Sequence, residues 1–213
     1  MKPSIDIQHV NKSFRDHVVL DDVNIQMSGG NIYGIIGRNG SGKTILMKCI
    51  CGFTPVDSGT IKINGRIISQ RNIISEDIGA IIETPGFLPY LSGFDNLKTL
   101  ALFRGKIDDN HIRHMMIDLG LDPNSRKHVR KYSLGMKQKL GIIQALMEDS
   151  PILILDEPMN SLDRDTVDIV RELLLNEKKK GKLIMITSHV RDDIDCLCNE
   201  VYEITNGLMT RTD

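Results

Sequence analysis

The chain of 213 residues carries a formal net charge of −1, with 40% hydrophobic and 26% charged residues. That length and balance describe a globular protein with enough apolar mass for a sizeable core, and the near-neutral charge excludes the broad basic face of a nucleic-acid binder. No run approaches the roughly 20 apolar residues that span a bilayer, and the first ten residues have no signal-peptide core, so the sequence reads as cytoplasmic, with any membrane part supplied by a partner.

The opening is β-rich. Ser4–Val10 and Val18–Met27 alternate apolar and polar residues, Asn31–Ile36 is more continuously apolar, and Gly59–Asn64 alternates again before the turn pair Asn64-Gly65. A helix is predicted from near Lys43, and Ile78–Ile82 is a further short strand. From Glu83 the spacing turns helical, over Asp95–Phe103, Asp108–Leu119 and Ser133–Met147. Strands return at Ile152–Leu155, Leu183–Thr187 and Val201–Thr205, separated by helices over Asp163–Lys180 and Arg191–Cys198. Apolar strands alternating with helices predict a parallel sheet in an α/β fold. The helical stretch 84–148 interrupts that core and is expected as a side lobe.

Cys49/Cys51 and Cys196/Cys198 are spaced C-x-C in predicted helices, where positions i and i+2 diverge. They read as reduced, buried thiols rather than a metal site or a disulfide. His111 and His114 share helical spacing but no further ligand stands near them, so they read as surface residues. Lys178, Lys179 and Lys180 before Gly181 read as a solvated helix end with a glycine stop.

Gly37-Arg38-Asn39-Gly40-Ser41-Gly42-Lys43-Thr44 fits G-x-x-x-x-G-K-[ST] in full, behind an apolar strand and ahead of an apolar helix. Glycines let the backbone turn its N–H groups inward on phosphate oxygens, and the following helix adds its positive end. Lys43 is expected on the β- and γ-phosphates of a nucleotide and Thr44 on Mg²⁺. Ile152-Leu153-Ile154-Leu155-Asp156-Glu157 is an apolar strand ending in two acids, at the sheet edge where α/β proteins hold ligands. Asp156 suits Mg²⁺, and Glu157 suits the polarisation of an attacking water.

With these motifs in order, the chain resembles an ABC transporter ATPase subunit over essentially its whole length. Tyr132-Ser133-Leu134-Gly135-Met136, followed by Lys137-Gln138-Lys139, stands where the family signature falls, shortly before the acid-ended strand. Ser133 and Gly135 would open a helix toward the γ-phosphate of ATP on another subunit. Asn160-Ser161-Leu162-Asp163 resembles the family's D-loop, and His189 in Thr187-Ser188-His189 its switch histidine. Phe14 either stacks on adenine, as the family's aromatic does, or joins the core. Glu83, in Ile81-Ile82-Glu83-Thr84-Pro85-Gly86-Phe87, stands for the Q-loop glutamine and can still see Mg²⁺ or water. Ile45 replaces a hydroxyl residue beside the α-phosphate, and Leu134 and Met136 replace a glycine and a glutamine of the signature. These departures resemble the subgroup of bacitracin-resistance and lantibiotic-immunity exporters.

The resemblance implies a P-loop NTPase fold of the α/β class. Its parts would be a RecA-like core with a parallel sheet and an N-terminal antiparallel β-subdomain over 1–83 and 149–213, and an inserted α-helical subdomain over 84–148. It implies a Mg²⁺-dependent ATPase working as a head-to-tail dimer, with a copy of itself or a similar subunit, on the inner face of the membrane beside permease subunits. Of the nine aromatics, Phe87, Tyr90, Phe94 and Phe103 cluster within 87–103. They form either the core of the lobe or a groove for the permease, which the family docks near 83–103. A soluble ATPase of the same type acting on ribosomes or DNA is the alternative, but those usually have a second such domain or long coiled coils, and neither is present. A guanine reader is disfavoured because Asn11-Lys12 is followed by Ser13, not aspartate. Lys43, Asp156, Glu157 and His189 are all present, against a degenerate, non-hydrolysing domain.

Overall fold

The computed structural model of the protein describes residues 2–68, 77–83, 86–105 and 107–212. Thr84 and Pro85, in the segment compared with the Q-loop, lie outside them. The chain opens with β1 (Ser4–Phe14), β2 (His17–Ser28) and β3 (Asn31–Ile36), then α1 (Lys43–Ile50). Next come β4 (Ser58–Ile63), β5 (Arg66–Ile67) and β6 (Ile78–Ile81), followed by α2 (Gly93–Arg104), α3 (Asp109–Asp118) and α4 (Leu134–Leu146). The last part runs β7 (Ile152–Leu155), α5 (Arg164–Lys179), β8 (Leu183–Thr187), α6 (Arg191–Leu197), β9 (Glu200–Thr205) and β10 (Leu208–Thr212).

The order β2-β1-β4-β5 makes an antiparallel sheet. The order β10-β9-β3-β8-β7-β6 makes a second sheet, parallel except where β10 returns on β9. The continuous apolar runs of β7 and β8 follow from cover on both faces. Ile152, Ile154, Leu183 and Met185 join Leu46 of α1 and Ile5, Ile7 and Met27 of the antiparallel sheet. Leu153, Leu155, Ile184 and Ile186 join Leu97, Met116, Ile143 and Val170 from the helices on the other face. The side-chain period of the strand divides each run between two cores. Ser92, Asp108, Ser133 and Asp163 cap α2 to α5, each accepting the N–H of the third residue onward.

Several boundaries differ from the sequence pattern for local reasons. β1 runs on from Val10 to Phe14, because pairing with β2 continues through register shifts to the turn at Arg15 and Asp16. The polar stretch Asn11-Lys12-Ser13 hides this strand from a periodicity reading. β5 and β10 lie outside the predicted strands: their residues are mostly exposed, and hydrogen bonding to a neighbour defines them. α2 begins at Gly93 rather than Asp95 because Ser92 supplies the cap.

The cysteines depart from expectation in part. Cys49 and Cys51 are buried, and burial pushes their thiols up to about 11 and about 12. Cys196, expected buried, is exposed on α6, and Cys198 follows that helix half-buried. His111 and His114 are both exposed.

Strand β6 and helix α4 approach so closely that a Cβ on Gly79 would stand 2.0 Å from the carbonyl oxygen of Ala145. Gly79→Ala is expected to lower the unfolding free energy by about 1–3 kcal/mol, read as a lower urea midpoint.

Candidate active site

β3 delivers Gly37 at the C-terminal edge of the parallel sheet, and the chain turns through residues 37–42 into α1. Gly37, Gly40 and Gly42 take φ values of 141, 80 and 112, where a side chain would be strained. A Cβ at Gly42 would also stand 2.7 Å from the carbonyl oxygen of Val19. Gly42 occupies the N-cap of α1 with no side-chain cap, and the first turn holds no acid. The first amides and the positive helix end therefore stay available to an anion. Ser41 Oγ is buried with no hydrogen-bond partner, a polar atom that a phosphate oxygen would satisfy. Lys43 is buried, and its Nζ donates to the carbonyls of Gly37 (2.7 Å) and Arg38 (3.1 Å). Ile45 is half-buried against the core and brings no hydroxyl to the site.

Beside this loop, β7 ends in Asp156. Its carboxylate accepts from Thr44 Oγ1 on one oxygen and from Thr187 Oγ1 on the other, both at 2.7 Å. Thr187 Oγ1 in turn accepts the N–H of Glu157 at 2.8 Å. Glu157 sits in the left-handed region (φ 50), which turns its carboxylate to within 2.8 Å of His189 Nε2. Gln138 Nε2 donates to the carbonyls of Glu157 (3.1 Å) and Pro158 (2.9 Å), fastening α4 to this turn.

A cleft of about 310 Å³ gathers Phe14, Lys43, Thr44, Ile45, Asp156, Glu157 and His189. Phe14 stands at the tip of the first hairpin, 47% exposed, so it is not a core residue. Asn39 and Gly40 line this cleft, and Arg38 and Ser41 line a smaller one beside it. A further cleft of about 250 Å³ shares Asp156 and Glu157 with Glu83, Leu134, Gln138 and Asn160. Glu83, at φ 59, accepts from Lys48 Nζ of α1 at 2.6 Å. A larger cleft, about 670 Å³, opens behind His189 between α6, β9 and β10, but contains none of Lys43, Thr44, Asp156 or Glu157.

Ser133 and Gly135 line neither cleft. Ser133 Oγ accepts from Met136 N at 3.1 Å, and a Cβ on Gly135 would stand 2.6 Å from the carbonyl oxygen of Ser161. The signature helix thus packs on the Asn160–Asp163 segment rather than on the phosphate loop of its own chain. Thr187, Lys48 and Gln138 stand in the site without having been singled out from sequence. Thr187 and Gln138 stood within motifs quoted from the sequence, Thr187 as a polar residue closing an apolar run and Gln138 just after the signature, but neither was given a role there.

Among the described residues no group of three or more His, Cys, Asp or Glu gathers as a metal site. The hydroxyl of Thr44 and the carboxylate of Asp156 are hard oxygen donors at one spot, and they suit Mg²⁺ whose remaining ligands are water and phosphate oxygens.

A glycine-rich turn from strand to helix, with an acid-ended strand one place removed in the same parallel sheet, defines a P-loop NTPase fold. A family model described as ABC transporter matches residues 20–160. An uncharacterised ABC transporter ATP-binding protein of Bacillus subtilis, YybJ, is 37% identical over 98% of this chain and 96% of its own. The bacitracin transport ATP-binding protein BcrA of Enterococcus faecalis is 35% identical over 97% of this chain and 68% of its own. The lantibiotic transport ATP-binding protein SrtF of Streptococcus pyogenes is 36% identical over 94% and 86%. A solved ATP-binding subunit of an ABC transporter superposes with a TM-score of 0.88 at 25% identity, over 98% of this chain and 90% of that one. A dimeric ATP-binding cassette bound to ADP and Pi gives 0.85 at 19% identity, over 97% and 98%, and shares the fold. The chain belongs to the ABC transporter family.

Burial raises the Glu157 carboxyl above its ordinary value, His189 and Lys43 draw it back, and Asp156 adds to the rise. A raised folded value means that the native state holds this proton more tightly than the unfolded chain. Ionised Glu157 therefore costs stability above that value, and the cost is relieved as pH falls through it. Glu157→Gln is expected to raise Tm at neutral pH, with the gain shrinking in mild acid. A Tm difference independent of pH would show that the buried charge carries no such cost.

Proposed function

We propose that this chain is the ATP-binding subunit of an ABC transporter, hydrolysing ATP to drive a separate membrane-spanning partner. The observation that carries hydrolysis is the line of hydrogen bonds from Thr44 through Asp156 and Thr187 to Glu157, with His189 on the Glu157 carboxylate. It joins a phosphate cradle, a cation-binding pair and a base in one cleft.

The amides of residues 37–45 and Lys43 hold the phosphates, with Arg38, Asn39 and Ser41 around them, and Phe14 gives adenine a face to stack on. Thr44 and Asp156 hold Mg²⁺, with Glu83 at the edge of the same region. When bound, Mg²⁺ offsets charge on the phosphate oxygens. Glu157 takes a proton from the attacking water, a task that its raised proton affinity suits. His189 orients the Glu157 carboxylate and faces the γ-phosphate.

Ser133 and Gly135 act in trans. A second copy, or a similar subunit, brings them over the γ-phosphate head to tail, excluding water and completing the charge-stabilising shell. Their distance from the chain's own phosphate cleft supports this arrangement.

No helix among the described residues is long and apolar enough to cross a membrane. The permease is expected to sit on the patch of Leu88, Tyr90, Leu102 and Phe103, all exposed, with Phe103 at 84%. The aromatic cluster divides here: Phe94 is buried in the core and Phe87 packs against it. The subunit would lie in the cytoplasm against the inner face of the cell membrane. Its cargo would be an antimicrobial peptide or another amphipathic compound, the class suggested by the bacitracin and lantibiotic relatives. A soluble ATPase acting on ribosomes or DNA is not favoured, since these relatives are transport proteins.

Glu157→Gln is expected to lower ATP turnover by about 10²–10⁴-fold while preserving ATP binding, and to trap a dimer with ATP on size exclusion. Near-normal turnover would remove Glu157 from its role. Tyr90→Asp is expected to abolish co-purification with the membrane partner while leaving ATP binding intact. Unchanged co-purification would move the docking site elsewhere.

A further inference from the structure

His189 reaches Glu157 from a short loop between β8 and α6, and its own residue is nearly half exposed. Its Nε2 stands 2.8 Å from that carboxylate. The backbone that carries it is held on both sides. Thr187 before it is fully buried and bound to Asp156. Ser188 Oγ donates to Asp193 Oδ2 at 2.8 Å and accepts the N–H of Val190 at 3.0 Å.

Asp193 is the unusual partner. It is 1% exposed, in the first turn of α6, where the N-cap Val190 offers no side chain to the helix. A carboxylate so buried needs a countercharge. Arg171 of α5 supplies it, placing Nε at 3.0 Å and Nη2 at 2.5 Å from Asp193 Oδ1. One carboxylate oxygen thus takes the guanidinium and the other takes the hydroxyl beside His189. The fork of the arginine fixes direction as well as charge.

We propose that Arg171 and Asp193 are positioning residues for His189, acting through Ser188. The inference rests on the role given to His189 above. Helix α5 starts at its cap Asp163, the end of the Asn160–Asp163 segment against which Gly135 packs. The Arg171–Asp193 pair therefore ties the loop of His189 to the same helix that carries that segment. A shift of α5 moves the histidine, whereas the phosphate loop, on α1 and β3, is not touched by this pair. The pair should set turnover and leave nucleotide binding alone.

Ser188→Ala is the cleanest variant, because it cuts the link and keeps the Arg171–Asp193 pair intact. It is expected to lower kcat about 10-fold with KM for ATP within about two-fold. In a His189→Ala background the same substitution is expected to cost less than about two-fold of the residual turnover, since no ring remains to be placed. Arg171→Lys, which keeps the charge but loses the fork, should lie between wild type and Ser188→Ala. The proposal is overturned by full kcat in Ser188→Ala, or by an equal loss in both backgrounds. Near-normal turnover in His189→Ala alone would instead remove the role of His189 on which the inference rests.

Discussion

The carboxylate of Asp156 accepts two threonine hydroxyls at 2.7 Å, one from α1 and one from β8, and the positions of the other groups follow from those two bonds. A carboxylate buried at a strand end needs such partners, because ionised oxygens bind hydroxyl donors about twice as strongly as neutral ones do. Thr44 brings the phosphate loop with it, since α1 follows directly on the glycines. Thr187 brings the loop of His189 and also captures the N–H of Glu157. Three segments distant in sequence meet at one acid, and the base is set by the backbone as much as by its own side chain.

That meeting depends on the parallel sheet. β3, β8 and β7 lie side by side, so their C-terminal ends fall on one edge, as in other α/β folds. Burial on both faces keeps the strands straight in their places, and the helical part is bound to the same edge by specific contacts. Gln138 holds the turn after β7 by two carbonyls, and Gly79 lets α4 lie directly on β6. The helices beyond β6 thus share a broad apolar core with β7 and β8, and Gln138 carries that contact up to the turn that holds Glu157.

The parts of the site that were legible from sequence are those written locally. Glycines at 37, 40 and 42 before Lys43, and a run of four apolar residues before two acids, are patterns within one turn or strand. The fold class followed from the same kind of signal, repeated along the chain. The bonds that organise the site are not local. Thr187 and Asp156 are 31 residues apart, Lys48 and Glu83 35, and Arg171 and Asp193 22; no periodicity marks such pairs. Exposure of single side chains was equally hidden. Phe94 and Phe103 lie on one helix, yet the first is core and the second is among the most exposed apolar residues, and Cys196 faces solvent where a buried thiol was expected. The β10 edge escaped because hydrogen bonding, not an apolar face, makes it a strand.

The pairing of Glu83 with Lys48 gives this cleft a joint of a different nature from its neighbours. An amide at that place would hold by direction, through a neutral bond that dissolved ions scarcely weaken. Here a carboxylate with 61% of its side chain exposed is held by an ammonium at 2.6 Å, and an exposed attraction of that kind weakens as counterions crowd in. Glu83, just after β6, is therefore tethered to α1 through solvent-screened charge. The hold on Glu83 becomes a property of the surrounding electrolyte as well as of the fold.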